Sequence, residues 1–291
     1  MKLYRVPDLA KKYVDYDMIS THTELADFPD SRVRLLYTFL KHQQPDNENE
    51  SLLEVCALAV YLLQLGLDTH DLIDPEPVRK EEKLMRSRQL KVLAGDYFSS
   101  LFYQLLAKSG QIQHISLLSS AVCEVNRLKA RFYTKMKDLL LSAEDYVKES
   151  ALVKMQLFAF FTPLLDKSAQ PFWRPLLAEI SKCEALAAEM SLTAREPMSH
   201  KGFAYLRILE SGSDEDKAVL GRSKLNAREW STLLLKYKVI EQLADKLHQS
   251  VEQIQLLLQD MAGERFSKEL AEIAEPFKAL LSKPRTAWNE G

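Results

Sequence analysis

The chain has 291 residues, 46% hydrophobic and 27% charged, with a formal net charge of −2. It is long enough to bury a core without disulfides or metal, and its charge balance gives no overall basic field to argue for nucleic acid or an anionic membrane. Eight glycines, against a usual share of roughly 7%, suit helices better than a parallel sheet with phosphate-binding loops. The three cysteines, Cys56, Cys123 and Cys183, are far apart in apolar helical stretches, with no CxxC, HExxH or Cys/His cluster. A structural zinc site is therefore not expected, and an odd, scattered set suits a reducing compartment.

In chain order, the opening "MKLYRVPDLAKKYVDYD" lacks the apolar stretch of a signal peptide. The longest apolar run, Val55 to Leu63, is too short to span a bilayer, so the expectation is a cytoplasmic protein with no transmembrane segment. "SLLE" at Ser51–Glu54 has the pattern of a capping box. The helix after it, about Leu52 to Ile73, is apolar on almost every side ("LLEVCALAVYLLQLGL"), as expected of a helix buried all round at the centre of the fold. "DPEP" at Asp74–Pro77 must end it, because each proline disfavours helix in the preceding residue.

Periodicity predicts further helices near 85–109, 111–140, 145–165, 173–192 and 197–210. The polar stretch 211–224 is the candidate linker, and three amphipathic helices follow near 227–248, 250–262 and 266–282. Ser142, Ser213, Asn226 and Ser250 stand as helix starts. No strand pair or hairpin signal occurs, so the class is all-α. The expected division is a helical domain over 1–210, the linker at 211–224, and C-terminal helices over 225–291 packed on the same domain.

Three aspartates, Asp68, Asp71 and Asp74, stand three residues apart at the end of the central helix. That spacing puts them on nearly one face. The helix dipole is already negative there, so a cation should compensate: a metal, or Arg79, Lys80, Arg86 or Arg88 folding back. Magnesium takes carboxylate oxygens and shares its shell with substrate phosphates. A solvated helix end with local salt bridges is the plainer alternative. His70, between the acids, is a ligand, a cation paired to Asp74, or a polar residue at a helix end.

"THDLID" at Thr69–Asp74 followed by "VLAGDY" at Val92–Tyr97 resembles the first aspartate-rich region of the all-α trans-prenyl diphosphate synthases, with the helix that opens after it. The resemblance implies an isoprenoid-synthase-like helical bundle. In that family two aspartate-rich helix ends hold Mg²⁺ against an allylic diphosphate, and the allylic cation is captured by isopentenyl diphosphate. Carried over residue by residue, His70 replaces the first aspartate, Asp71 matches the second and Asp74 the last. Gly95 is expected to permit close helix packing, and Asp96 to be a polar group whose burial needs a partner.

The departures are several. The chain has no Asp-Asp pair, so the second aspartate motif is missing. Its first glycine is Gly66, so the family's N-terminal Gly-Gly-Lys-Arg segment for isopentenyl diphosphate is absent. The arginine pair after the first motif is reduced to Arg79–Lys80.

This degenerate pattern, with "LDTHDLI", "QLKVLAGDYFSSLFYQLLAKSGQI" and "LSSAVCEVNRLKARFY", resembles component 1, the small subunit of the two-subunit heptaprenyl diphosphate synthases of Gram-positive bacteria. The likeness is firm over about residues 50–165. It implies a partner, component 2, carrying two intact Asp-rich motifs and most of the Mg²⁺. The pair would make a C35 diphosphate from farnesyl and isopentenyl diphosphate for the menaquinone side chain. This chain would support its partner, help set product length and be inactive or nearly so alone, with no catalytic residue expected in it. Product-length stops in active relatives would fall near Leu65 and Gly66. The aromatic stretches Asp96–Leu106 and Leu157–Leu165 are core or partner surface. A self-sufficient Mg²⁺-dependent isoprenoid enzyme using His70, Asp71 and Asp74 is the alternative, and a helical scaffold the third.

Overall fold

The computed structural model describes residues 4–16, 19, 21, 23–26, 28–43, 50–73, 82–195, 202–221, 225–261 and 263–282. Among them every regular element is a helix. The chain divides into two compact units, Met1–Val122 with Pro163–Asp166, and Cys123–Thr162 with Lys167–Gly291.

The first unit is built around one apolar helix. Helix α1 (Val6–Val14), α2 (Asp30–His42) and α4 (Glu82–Lys108) all pack on α3 (Glu50–Asp71). From Cys56 to Leu67 nearly every residue of α3 is buried, as its all-round apolar sequence requires. Its segment Ser51–Asp71 is long and apolar enough to cross a membrane by length and composition, although the uninterrupted apolar run is shorter; most of it lies inside the unit. Arg5 donates to both oxygens of Glu54, at 2.9 and 3.0 Å, and ties the start of α1 to α3. On α2, Leu35, Leu36 and Phe39 are fully buried, and Arg32 lies on the same face. The helix does not start at the expected capping box: α3 already includes Glu50, so Ser51 sits inside the first turn.

Helix α5 (Ile112–Lys137) begins in the first unit, and its second half belongs to the second. There α6 (Ala143–Ala159) and α11 (Val239–Gln259) both pack on α7 (Gln170–Arg195). Between α7 and α11 in sequence run α8 (Phe203–Ser211), α9 (Asp214–Leu220) and α10 (Ala227–Lys236). After α11 come α12 (Glu264–Ala271) and α13 (Glu275–Leu281). Thus the stretch 211–224 contains a helix, α9, capped by Ser213, whose hydroxyl accepts from the Asp216 amide at 3.3 Å. Ser142 caps α6 in the same way, and Asn226 with Glu229 forms a full capping box on α10.

Ser250 does not start a helix. It is fully buried in the middle of α11. The break falls instead at Tyr237–Lys238, where Lys238 adopts a left-handed conformation with φ 48°. A serine signals a start only where its backbone is free to leave the helix. Here Leu243, Leu247, Val251 and Ile254 bury one continuous stripe through that point.

Candidate functional site at the end of the central helix

The last turn of α3 tightens before it stops. The amides of Leu72 and Ile73 donate to the carbonyls of Thr69 and His70 at 3.2 Å, a 3₁₀-type closure. Thr69, fully buried, returns its hydroxyl to the Leu65 carbonyl at 2.7 Å. One orphan carbonyl at this end meets a cation: Lys91 Nζ of α4 donates to Leu72 O at 3.3 Å and pairs with Glu24 at 3.0 Å. A lysine at a helix C-terminus complements the dipole. Asp74, Arg79 and Lys80 lie outside the described residues. Asp71 is described and exposed.

Asp68 is engaged from two sides. Gln64, one turn earlier, donates Nε2 to Oδ1 at 2.8 Å. Arg32 of α2 brings Nη2 to 3.9 Å from Oδ2, with the arginine side chain only 1% exposed. Of the cations expected to fold back, Arg86 instead pairs with Glu82 one turn away on its own helix, at 3.1 Å. Arg32 and Lys91 were not foreseen. A signal for Arg32 exists: it falls on the apolar stripe of α2, and an arginine there must meet an acid.

Two glycines set the distance between α3 and α4. A Cβ on Gly66 would stand 2.5 Å from Ser99 Oγ, 2.9 Å from the Gly95 carbonyl oxygen and 3.0 Å from the Ser99 amide nitrogen. A Cβ on Gly95 would stand 2.6–2.8 Å from the ring of His70. The expectation that Gly95 allows close packing thus has a concrete form: the imidazole of His70 rests on the bare glycine. From there Nε2 reaches Asp96 Oδ1 at 3.4 Å; a pairing with Asp74 falls outside the described residues.

Asp96 is not a buried group. Its side chain is 66% exposed, because it lies on the outer side of α4 while Ala94, Gly95 and Phe98 face inward. Tyr97 stacks on Tyr16, with ring centroids 6.1 Å apart. The aromatic stretches are chiefly core: Phe98, Phe102, Phe158 and Phe161 are buried, whereas Tyr103 and Leu164 are exposed.

This architecture is that of the trans-prenyl diphosphate synthases. The fold matches a decaprenyl diphosphate synthase from Rhodobacter capsulatus with a TM-score of 0.68 at 11% identity, covering 96% of this chain and 91% of that one. It matches a heptaprenyl diphosphate synthase from Staphylococcus aureus with a TM-score of 0.67 at 11% identity, covering 94% and 96%. At such identities the likeness speaks for the fold alone.

Sequence carries the assignment further. The family model described as heptaprenyl diphosphate synthase (HEPPP synthase) subunit 1 matches residues 16–218, and the chain belongs to that family. A curated relative, heptaprenyl diphosphate synthase component 1 from Geobacillus stearothermophilus, is 37% identical over 123 residues, which cover 41% of this chain and 50% of that protein. The chain thus spans about half the length of the curated relative that it matches.

The fold implies Mg²⁺, and the described residues do not fit it. No group of three His, Cys, Asp or Glu side chains among them is placed to hold a metal ion. Asp68 is occupied by Gln64 and faced by a guanidinium, and His70 turns toward Asp96. Magnesium demands near-octahedral oxygen ligation. The described end of α3 instead presents hydrogen bonds and ion pairs.

Proposed function

We propose that this chain is the non-catalytic subunit of a two-subunit heptaprenyl diphosphate synthase. Its partner would carry two intact aspartate-rich motifs and most of the Mg²⁺. Together, in the cytoplasm, they would condense isopentenyl diphosphate onto farnesyl diphosphate to a C35 product for the menaquinone side chain. Asp68, His70, Asp71 and Asp74 are then the remains of a diphosphate site, with Arg79 and Lys80 left from its basic segment, and the chain's role is to support the partner and influence product length.

The observation that carries this reading is the state of the motif: within a subunit 1 family member, Asp68 is held by Gln64 and faced by Arg32, and His70, which stands where the family has its first aspartate, turns to Asp96. A second feature agrees with a partner-dependent chain. Residues 97–122 contain a single formally charged side chain, Lys108, yet the outer faces of α4 and α5 expose Tyr103 and Ile112, at 48% and 63%. Depletion of charge around exposed aromatic and aliphatic groups marks the core of a protein interface. Gly66, where product-length stops would fall in active relatives, meets Ser99 of α4 directly.

The test is Mg²⁺-dependent incorporation of labelled isopentenyl diphosphate from farnesyl diphosphate, with the chain alone and then with a candidate catalytic subunit. Silence alone and long-chain product together are expected. Strong turnover by the chain alone would overturn the proposal in favour of a self-sufficient enzyme.

A further inference from the structure

The end of α3 concentrates negative charge: Asp68, Asp71 and the negative pole of the helix dipole. In an aspartate-rich metal site a divalent cation would balance it. Here positive groups of the same unit converge instead. Lys91 meets the Leu72 carbonyl. Arg32, 1% exposed, stands 3.9 Å from Asp68 Oδ2.

A guanidinium does not give up its proton inside a protein. Arg32 is therefore a permanent positive charge built into the interior of the unit, and it needs a permanent acid nearby. Asp68 meets that need, with its other oxygen held by Gln64 at 2.8 Å. A divalent ion placed on this carboxylate would share Oδ1 with the amide of Gln64 or sit at Oδ2 against a fixed like charge, in a setting where water screens poorly.

We infer that Arg32 takes the place of a divalent cation at Asp68, the first acid of the aspartate column. The unit neutralises Asp68 with its own guanidinium, so this helix end keeps its conformation without metal. Arg32 is a positioning residue: it acts on the last turns of α3 through Asp68. The inference concerns the charge balance of this chain alone and stands whatever product the proposed complex makes.

The test uses the purified full chain and reads metal binding and stability. With Mn²⁺ as the probe, paramagnetic resonance of the free ion should show no saturable site, and the thermal midpoint should be equal in Mg²⁺ and in chelator. A saturable Mn²⁺ site that disappears in Asp68→Asn, or a midpoint that rises with Mg²⁺, overturns the inference. Arg32→Met and Asp68→Asn should each lower the midpoint. Together they should lower it by less than the sum, because the second change removes a group the first has already left without its counter-charge. Strictly additive losses overturn the pairing. Should Arg32→Met not fold, Arg32→Lys decides: a midpoint close to wild type supports a role for charge, and a loss of folding with the charge retained overturns it.

Discussion

Replacing the two glycines of the α3–α4 seam by alanine should have different consequences, although both lie inside helices. In a helix interior alanine is favoured over glycine by about 1 kcal/mol. Overpacking a close contact costs about 1–3 kcal/mol. At Gly66 the obstacles include backbone, the Gly95 carbonyl at 2.9 Å and the Ser99 amide at 3.0 Å. Neither atom can move without separating the helices. With backbone on two sides the overpacking cost falls in the upper part of that range, about 2–3 kcal/mol, so Gly66→Ala should lose about 1–2 kcal/mol net of propensity. At Gly95 the obstacle is the ring of His70, whose atoms lie 2.6–2.8 Å from the added carbon. A side-chain tip can swing away at the cost of one partly exposed ion pair, worth up to about 1 kcal/mol. Gly95→Ala should then come out near neutral. In a His70→Ala background the obstacle is gone, and Gly95→Ala should add about 1 kcal/mol of stability. Urea unfolding of the four variants, at unchanged m-value, measures all of this. If Gly66→Ala is as stable as wild type, the two helices are not in backbone contact there. If Gly95→Ala has the same effect with and without His70, the imidazole does not rest on that glycine.

Helices α4 and α5 end in the same Schellman geometry, but Gly110 takes the left-handed position in one and Leu139, at φ 52°, in the other. Leu139→Gly should stabilise the chain by up to about 1 kcal/mol, the left-handed cost of an L-residue less the extra entropy of glycine in the unfolded chain; loss of stability in thermal or urea unfolding would show that the leucine side chain matters more than its backbone. Asp216 accepts from Lys236 and Tyr237, and these hydrogen bonds hold its carboxyl down at about 2 from an ordinary 3.8. A folded-state value below the unfolded one means stability that is present above 3.8 and lost as pH falls toward 2, so the stability gap between wild type and Asp216→Asn should close across that window; a gap that does not change there refutes the assignment.

Much of the fold could be read from local pattern. The all-round apolar run Val55–Leu63 lies in a buried central helix, and Ser142, Ser213 and Asn226 cap helices because each precedes an apolar-periodic run with an acid in its first turn. Ser250 carries the same signature and fails, since the stripe of α11 continues through it. Nothing local marks Lys238 as the break: a lysine in the left-handed region is imposed by how α10 and α11 must meet. At the candidate site, Gly95 is legible as a close-packing position and His70 as the residue in place of the first aspartate. That the two touch is not, because contact across helices depends on the register of α3 against α4. Asp96 stands among apolar neighbours in sequence, so its burial would need a partner, but position 96 falls on the outer side of the helix.

The same dependence on register explains why the described cations at Asp68 and at the Leu72 carbonyl are Arg32 and Lys91. An acidic column at a helix C-terminus requires positive charge, and the cations that follow it in sequence, Arg79, Lys80, Arg86 and Arg88, are the obvious choice; of these Arg86 and Arg88 are among the described residues. Arg86 lies one turn from Glu82 on its own exposed face and satisfies it there. The cation that reaches Asp68 comes from α2, whose Leu35, Leu36 and Phe39 are buried in the same unit, so the stripe that seats these side chains also carries Arg32 inward. Lys91, one turn before Gly95, meets the end of α3 because the seam at Gly66 and Gly95 brings the helices close. Close helix packing and internal charge balance are therefore coupled at this site. Widening the seam at Gly66 should loosen the Lys91 contact with Leu72 along with the backbone, whereas displacing His70 at Gly95 should leave it intact. Amide exchange at Leu72 and Ile73, fast in Gly66→Ala and unchanged in Gly95→Ala, would separate the two effects, and equal exchange in both variants would refute the coupling.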